Sequence, residues 1–341
     1  MWIATRFVVP PKNQTTQNMN NTHCMKFGTV LAGVLALIEV SAKADIFGSG
    51  GNAFTIDFVN VVNAGNADDA AFDDTAPDYS SPYGGVPYNY RMGTYEISQD
   101  AITKATAGGL LNVTSGAWIG SQPATNVSWY EAAAFVNWLN TSTGHPVAYN
   151  LDAGATTLTL WSNAQAWQAG GENLYRHKDA YYFLPSEDEW YKAAYHKNDG
   201  VTANYWDNAT GSNSVPTAVV SGTTAGTAVF NGVNSSPAAV DNDGGLSPYG
   251  TRGQDGNALE WQESALDGIN DSPSEPRPVR GGYWNALEVE LRSSRHYNFG
   301  TAENGAVGFR VASVVPEPSS TLLLLGSGWM CLLKRRRTPG L

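Results

Sequence analysis

Two short helix-start motifs constrain the fold of this 341-residue chain more than any other local feature. In each motif a serine is followed three residues later by a glutamate: Ser128 with Glu131, and Ser186 with Glu189. This is the capping-box pattern, in which the serine hydroxyl accepts from the third helical amide and the glutamate accepts from the amide of the serine. The sequence therefore predicts two helices and the residue at which each of them begins.

The remaining sequence predicts few long elements. The first box indicates a helix over residues 128–140, and the second indicates a helix that ends near His196. Branched and aromatic residues predict strands at residues 54–62 and 88–97. The segment 198–248 is rich in Gly, Ser, Thr and Asn and is expected to be loop. Because the chain contains 36 Gly and 17 Pro, we expect one loop-rich α+β domain with short strands and two main helices.

The beginning of the chain carries an export pattern. Residues 25–44 resemble a signal peptide, since Lys26 precedes an apolar run and Ala42-Lys43-Ala44 matches the small-x-small pattern that a signal peptidase cuts. Residues 1–24 are polar and are interpreted as an upstream extension that is disordered. The alternative is a disordered arm attached to an internal signal anchor.

The end of the chain carries a second targeting pattern. Residues 314–341 contain Pro-Glu-Pro at 316–318, an apolar segment at 321–333 and a basic cluster at 334–337. This order resembles a PEP-CTERM sorting signal, which implies processing by an exosortase in a Gram-negative bacterium. The apolar segment is shorter than the ~20 residues that a transmembrane helix needs. By pattern alone, the alternative to a sorting signal is a weak transmembrane tail anchor. The predicted domain, residues 45–313, would then lie in the cell envelope, on the cell surface or in the extracellular matrix.

Charge and cysteine content limit the partners of this domain. Residues 45–316 carry 12 Lys and Arg against 29 Asp and Glu, a net charge near −17. Such a negative field disfavours binding to nucleic acid and to anionic membrane surfaces. Both cysteines, Cys24 and Cys331, fall outside the predicted domain, so no disulfide is expected to stabilise it after export.

Six short blocks occur in a fixed order and cover most of the predicted domain. They are Pro-Ala-Thr-Asn-Val-Ser-Trp at 123–129, Leu-Pro-Ser-Glu-Asp-Glu-Trp at 184–190, Ser-Pro-Tyr-Gly at 247–250, Gly-Asn-Ala-Leu-Glu-Trp at 256–261, Arg-Gly-Gly-Tyr-Trp at 280–284 and Gly-Phe-Arg at 308–310. Together they resemble the formylglycine-generating enzyme (sulfatase-modifying factor) family. The resemblance implies a C-type-lectin-like α+β fold with irregular loops.

The thiols that the reaction of this family requires are missing. Formylglycine formation uses copper(I) held by two cysteine thiolates, because soft sulfur ligands suit Cu(I). In the active enzymes these cysteines lie between the Arg-Gly-Gly and Gly-Phe-Arg blocks, whereas residues 285–299 of this chain contain none. We therefore expect no copper and no formylglycine oxidase activity, as in a pseudoenzyme. The alternative is an oxidoreductase-type enzyme of the same family that uses another metal or mechanism.

Other catalytic patterns are equally absent from the sequence. It contains no Gly-x-Ser-x-Gly elbow, no phosphate-binding loop and no Cys-x-x-Cys. The histidines of the predicted domain lack metal-binding spacing and are predicted to be surface or capping residues; they are His145, His177, His196 and His296. The acidic run at 187–189 is interpreted as a complement to the helix dipole rather than as a catalytic acid pair.

The resemblance implies structural calcium, which takes six to eight oxygen ligands. The ligands that carry over are Gly256, Ala258 and Glu260 at one site, and Asn204 and Tyr205 at a second. Gly253 stands where the family has Asn or Asp, and Asp255 is left open as its replacement. The alternative for Glu260 is that it only caps a loop.

The resemblance also places an exposed pocket between the Arg-Gly-Gly and Gly-Phe-Arg blocks. The candidate ligand-binding residues there are Tyr283, Trp284, Asn285, Arg292, Arg295, His296 and Tyr297. Flat rings and planar donors suit stacking on sugars or binding of a peptide carboxylate. For the arginines, together with Arg280 and Arg310, pairing with buried carboxylates is the alternative. The hypothesis is an exported, non-catalytic binding or structural module for polysaccharide or another envelope component.

Overall fold

The computed structural model of the protein describes residues 43–70 and 82–316. The predicted upstream extension, most of the predicted signal peptide and the tail from residue 317 lie outside these ranges. The first strand already includes Lys43 and Ala44, which the cleavage pattern assigned to the signal peptide. Within the described ranges, none of the helices combines the length and the apolar character needed to cross a membrane. The predicted apolar tail segment is not among them.

Short strands and three α-helices build the part of the chain that the structure describes. The helices are α1 Gln99–Ala107, α2 Trp129–Ser142 and α3 Glu187–Tyr195. The strands are β1 Lys43–Phe47, β2 Phe54–Val61, β3 Tyr90–Gly93, β4 Asn150–Leu151, β5 Leu158–Thr159, β6 Ala166–Trp167, β7 Asn173–His177, β8 Tyr182–Phe183, β9 Thr217–Ala218, β10 Thr227–Ala228, β11 Leu259–Trp261, β12 Arg277–Arg280, β13 Tyr297–Phe299, β14 Val307–Gly308 and β15 Ala312–Val314. Most strands are shorter than a typical strand, as the Gly and Pro content predicts.

Two sheets organise the domain and bring distant parts of the chain together. The larger sheet has the order β1-β2-β3-β15-β8, so the end of the domain pairs with its beginning. The second has the order β13-β12-β11-β14 and carries the Gly-Asn-Ala-Leu-Glu-Trp and Arg-Gly-Gly blocks on adjacent strands. In it, Glu260 lies opposite Arg280 across an antiparallel pair and opposite Gly308 across a parallel pair. The described residues also form three two-stranded pairs: β4 with β5, β6 with β7, and β9 with β10.

Both predicted capping boxes are present, which confirms the starts of α2 and α3. Ser128 Oγ accepts from the Glu131 amide at 3.2 Å, and Glu131 Oε2 accepts from the Ser128 amide at 2.7 Å. The same pair of bonds joins Ser186 and Glu189 at 3.1 and 2.6 Å. These bonds satisfy amides that a helix start otherwise leaves unpaired. Helix α3 ends at Tyr195 with His196 as its cap, close to the predicted end.

The strand predicted at residues 88–97 was too long, and one helix was not predicted. The strand predicted at residues 88–97 is confined to β3, and all four of its residues are buried because it lies between β2 and β15. A third helix, α1, follows directly. Ser98 caps it by accepting from the Ala101 amide at 3.2 Å, but Ala101 offers no carboxylate to complete a capping box, so the sequence signal was weak.

Three motif tryptophans, each fully buried, hold the core together. The indole N–H of Trp129 donates to the carbonyl of Gln262 at 2.9 Å, and that of Trp261 donates to the carbonyl of Val127 at 2.9 Å. The indole of Trp190 donates to Glu260 Oε2 at 2.7 Å. Each ring buries a large apolar area while its polar edge stays satisfied, so the sequence blocks meet at one interior.

Candidate ligand-binding site

A double-glycine turn after strand β12 directs the chain towards solvent. Gly281 has φ +99° and Gly282 has φ +73°, values that side-chain-bearing residues rarely adopt. A Cβ on Gly281 would lie 3.3 Å from the Trp190 ring. A residue without a side chain therefore also allows the turn to pack closely against this ring. The residues after this turn, Tyr283 and Trp284, are half-buried rather than enclosed in the core.

Four half-buried rings form what we call the aromatic face: Trp118, Tyr283, Trp284 and Tyr297. The rings of Trp118 and Trp284 pack edge to face with centroids 5.3 Å apart, and those of Tyr283 and Trp284 do so at 5.4 Å. Tyr297 lies on β13, two residues before Phe299, so both side chains point to the same side of the strand. Burial raises the pKa of Tyr297 to about 12, with further contributions from Glu290 and Tyr283. Tyr297 is therefore neutral at physiological pH.

Three of the predicted planar donors flank this face. Asn285 and Arg292 are exposed, and Arg295 is half-buried. A Cβ on Gly232 would approach Asn285 Oδ1 to 2.6 Å, so the amide group rests against that glycine. The amide of Arg295 donates to the carbonyl of Arg292 at 2.9 Å, which places both arginines in one turn. The structure thus brings most of the predicted binding residues to one region.

His296 is a correction to the predicted set. Its side chain is only 4% exposed, and its Nδ1 lies 2.6 Å from Glu187 Oε1. Arg280 donates to the same carboxylate through Nε at 2.8 Å, and the ring of Tyr83 lies 5.8 Å from the imidazole. Although burial alone would raise it, Arg280 and His296 hold the pKa of Glu187 below its ordinary value. His296 is therefore part of a buried ion-pair group instead of a surface for ligands.

Two further buried ion-pair groups use motif residues. Arg310 donates to both oxygens of Glu260, each at 2.5 Å. Arg176 lies 2.9 Å from Glu189 and 2.6 Å from Glu263, and none of these three side chains is more than 1% exposed. Although burial would raise it, Arg176 lowers the pKa of Glu189. Arg280 and Arg310 are thus partners of buried carboxylates, as the alternative for the arginines predicted.

The acidic residues at the start of α3 have structural roles. They form ion pairs and hydrogen bonds in addition to complementing the helix dipole. Glu187 and Glu189 belong to the ion-pair groups, whereas Asp188 Oδ1 accepts from the Gly84 amide at 2.9 Å. Burial raises the pKa of Asp188 to about 7, and the negative charges of its neighbours add to the shift. The three carboxylates therefore occupy different environments and form no acid pair.

The predicted calcium ligands do not form a free oxygen cage. Both oxygens of Glu260 accept from Arg310, and Oε2 also accepts from Trp190. A guanidinium that already neutralises this carboxylate would repel a cation, so Glu260 does not fit the ligand role that the resemblance implied. At the second set, Asn204 Nδ2 donates to Asp199 at 2.8 Å and the Tyr205 hydroxyl donates to the carbonyl of Ala67 at 2.8 Å. Gly256 and Ala258 lie beside Glu260 in the chain.

Sequence reasoning missed two aromatic contributors to this region. Trp118 lies in a loop far from the Arg-Gly-Gly block, and no motif connects it with Trp284. Phe299 is the last residue of the segment 285–299. The alternation of Tyr297, Asn298 and Phe299 could have predicted a strand with two rings on one side. The position of both residues near the aromatic face follows only from the three-dimensional arrangement of the second sheet and its loops.

Comparisons with known proteins agree with this architecture. The profile of the sulfatase-modifying factor enzyme 1-like domain matches residues 53–315. Among solved structures, variable protein 1 of Treponema denticola is similar at 20% identity and a TM-score of 0.54, over 81% of this chain and 99% of that one. CarF is similar at 19% identity and a TM-score of 0.50, over 76% of this chain and 99% of that one. Comparison with curated protein sequences gives no match. The chain belongs to the family of sulfatase-modifying factor enzyme 1-like domain proteins.

Proposed function

We propose that this protein is an exported, non-catalytic binding or structural module that holds polysaccharide on its aromatic face. The observation that carries the proposal is the group of half-buried rings formed by Trp118, Tyr283, Trp284 and Tyr297. Exposed ring surfaces can stack on the apolar faces of sugars, and the neighbouring amide and guanidinium groups can donate to sugar hydroxyls. Single exposed apolar residues need no explanation, but a contiguous group of rings does.

One property of the sequence disfavours the oxidation chemistry of the family, and a second indicates the class of ligand. Residues 285–299 supply no thiolate for copper(I). The domain is strongly acidic, with a net charge near −17 over residues 45–316. Such a charge would repel anionic polymers at low salt. The ligand class that fits best is therefore a neutral polysaccharide or another uncharged envelope component.

Export and surface location belong to the same proposal. The pattern at residues 25–44 supports secretion, and the pattern at residues 314–341 supports sorting by an exosortase in a Gram-negative envelope. Mass spectrometry of the mature protein isolated from the cell surface tests this part. The proposal predicts loss of the basic residues 334–337, whereas an intact C-terminus would contradict processing.

A retention assay tests the binding proposal directly. The purified protein is passed over cellulose, chitin and the polysaccharide washed from the cells that produce it. We expect retention on at least one of them, and Trp284→Ala should weaken it at least about tenfold, because a central aromatic contact contributes about 2 kcal/mol or more. Trp161→Ala is the matched control, since this half-buried tryptophan packs against His177 and donates to the carbonyl of Ala148 instead.

The outcomes of this assay separate a binding site from general adhesion. Equal retention of Trp284→Ala and the unchanged protein would refute the aromatic face as the site. Retention on none of the three polymers would refute polysaccharide as the ligand class. Circular dichroism of both variants shows whether the loss of a ring has unfolded the domain.

The alternative of an oxidoreductase-type enzyme is tested with a cysteine-containing peptide. The protein is incubated with the peptide, oxygen and added copper(I), iron(II) or no metal, and the peptide is analysed by mass spectrometry. We expect no aldehyde product. Formation of formylglycine under any of these conditions would overturn the non-catalytic assignment.

A further inference from the structure

A cavity lies at the start of helix α3, between the β6–β7 pair and the loop that follows strand β11. None of its lining residues belongs to the aromatic face. Its volume is about 190 Å³, which is several times the ~30 Å³ share of one water molecule in the liquid. It is smaller than the ~300–1,000 Å³ of a pocket for a drug-sized ligand. The cavity therefore suits one small organic molecule.

A half-buried carboxylate in the wall has an unused oxygen. Asp188 Oδ1 accepts from the Gly84 amide at 2.9 Å, and within the described residues no donor bonds to Oδ2. Burial raises the pKa of Asp188 to about 7. The carboxylate thus lacks a neighbouring cation that would stabilise its charged form. A positively charged group of a ligand would supply that stabilisation.

The arginine of the lining leaves no positive charge for an anionic ligand. Arg176 Nη2 lies 2.9 Å from Glu189 and 2.6 Å from Glu263, so two carboxylates share one guanidinium. Glu172, which is exposed, adds a further negative charge to the lining. Because acids outnumber bases around the cavity, its potential favours a cation over an anion.

Two half-buried rings supply an apolar part of the wall. The rings of Tyr88 and Trp167 pack edge to face with centroids 5.5 Å apart. Their polar edges are already bonded, since the Tyr88 hydroxyl donates to Glu189 at 2.7 Å and the Trp167 indole donates to the carbonyl of Ala169 at 2.8 Å. These rings therefore offer a ligand their ring surfaces, which pack against carbon atoms and attract an ammonium group.

Two serine hydroxyls in the lining can donate to a ligand. Ser186 Oγ accepts from the Glu189 amide at 3.1 Å, and Ser264 Oγ accepts from the Glu187 amide at 3.0 Å. A hydroxyl that accepts one bond still has its own proton to donate. The cavity thus combines an anion, aromatic surface and hydroxyl donors, a set that matches a small amine with a ring and hydroxyl groups.

We propose that this cavity binds an amino sugar whose ammonium group contacts Asp188. The sugar ring packs against Tyr88 and Trp167, and its hydroxyl groups accept from Ser186 and Ser264. This site goes beyond the polysaccharide binding proposed for the aromatic face, because it uses other residues and recognises a positive charge.

Calorimetric titration of the purified protein with glucosamine at neutral pH tests the proposal. We expect one glucosamine per chain. N-acetylglucosamine keeps the ring but lacks the positive charge, and cyclohexylamine keeps the charge but lacks the hydroxyl groups. Each should bind at least about tenfold more weakly, because each loses one set of hydrogen bonds. Equal affinity for glucosamine and either of these compounds would overturn the proposal, as would the absence of glucosamine binding.

Variants identify the residue that binds the ammonium group. Asp188→Asn should weaken glucosamine binding at least about tenfold, since the amide oxygen can still accept from Gly84 but carries no charge. Asp199→Asn is the matched control, because Asp199 is exposed and lies outside the lining. Trp284→Ala should also bind glucosamine normally, which separates this site from the aromatic face. Unchanged binding by Asp188→Asn, or loss in Trp284→Ala alone, would refute the assignment.

A blocking variant keeps the test valid if Asp188→Asn is unstable. Ala169 is an exposed residue of the lining, so Ala169→Trp places a large ring at the cavity without replacing a core residue. This variant should lose glucosamine binding while its Tm stays that of the unchanged protein. A folded Ala169→Trp variant that binds glucosamine with undiminished affinity would place the ligand elsewhere and overturn the proposal.

Discussion

The buried pair of Arg310 and Glu260 offers the sharpest test of how motif residues hold this fold. Glu260 and Arg310 are both fully buried, and Arg310 also donates to the carbonyls of Gly93 at 3.0 Å and Arg252 at 2.7 Å. Arg310→Met preserves most of the side-chain volume but removes the positive charge that neutralises Glu260, which keeps only the Trp190 indole as a side-chain donor. Breaking a buried pair in this way costs about 3–5 kcal/mol, and each orphaned carbonyl adds about 1 kcal/mol.

Urea unfolding followed by tryptophan fluorescence measures this loss. A domain of this size has a free energy of unfolding of roughly 5–15 kcal/mol, so Arg310→Met should leave it barely folded at 25 °C or unfolded. Arg292→Met is the matched control and should change stability by less than about 0.5 kcal/mol, because Arg292 is exposed. The double variant Glu260→Gln/Arg310→Met should regain stability relative to Arg310→Met. A loss below about 1 kcal/mol in Arg310→Met would show that the buried pair contributes little to the stability of the fold.

Two further predictions concern local features of the structure. Ser128→Ala and Ser186→Ala should each lower the free energy of unfolding by about 1 kcal/mol, because each removes a capping bond; urea unfolding that shows no loss in either variant would contradict this. The folded protein holds the proton of Asp188 more tightly than the unfolded chain does, since burial raises its pKa from 3.8 to about 7. The contribution of Asp188 to the free energy of unfolding should therefore fall by roughly 2 kcal/mol between pH 4 and pH 7, an amount reduced for partial exposure. Urea unfolding across that range should show a flatter profile for Asp188→Asn.

The parts of the fold that the sequence predicted are those with local signals. Helices α2 and α3 begin with capping boxes, whose two bonds join residues three positions apart. Strand β2 is rich in branched and aromatic residues. Helix α1 was missed because Ser98 caps it without an acidic partner. The strand predicted at residues 88–97 was too long because sheet pairing, which is non-local, limits β3 to four residues.

The candidate site shows the same division between local and distant information. Tyr283 and Trp284 were predicted from the family resemblance, which places a pocket after the Arg-Gly-Gly block, and both rings are half-buried in the structure. His296 was misplaced because its partner, Glu187, is 109 positions away along the chain. The spacing of residues along the sequence does not predict a contact between two residues that far apart. Trp118 was missed for the equivalent reason, since its contact with Trp284 depends on loops that no sequence pattern positions.

Hydroxyl-radical footprinting tests whether the aromatic face binds polysaccharide. The protein is oxidised with and without the polysaccharide that retains it, and each labelled residue is quantified by mass spectrometry. We expect severalfold protection of Trp118 and Trp284, with no change at Trp161. Unchanged labelling of Trp118 and Trp284 while the protein is bound would contradict it.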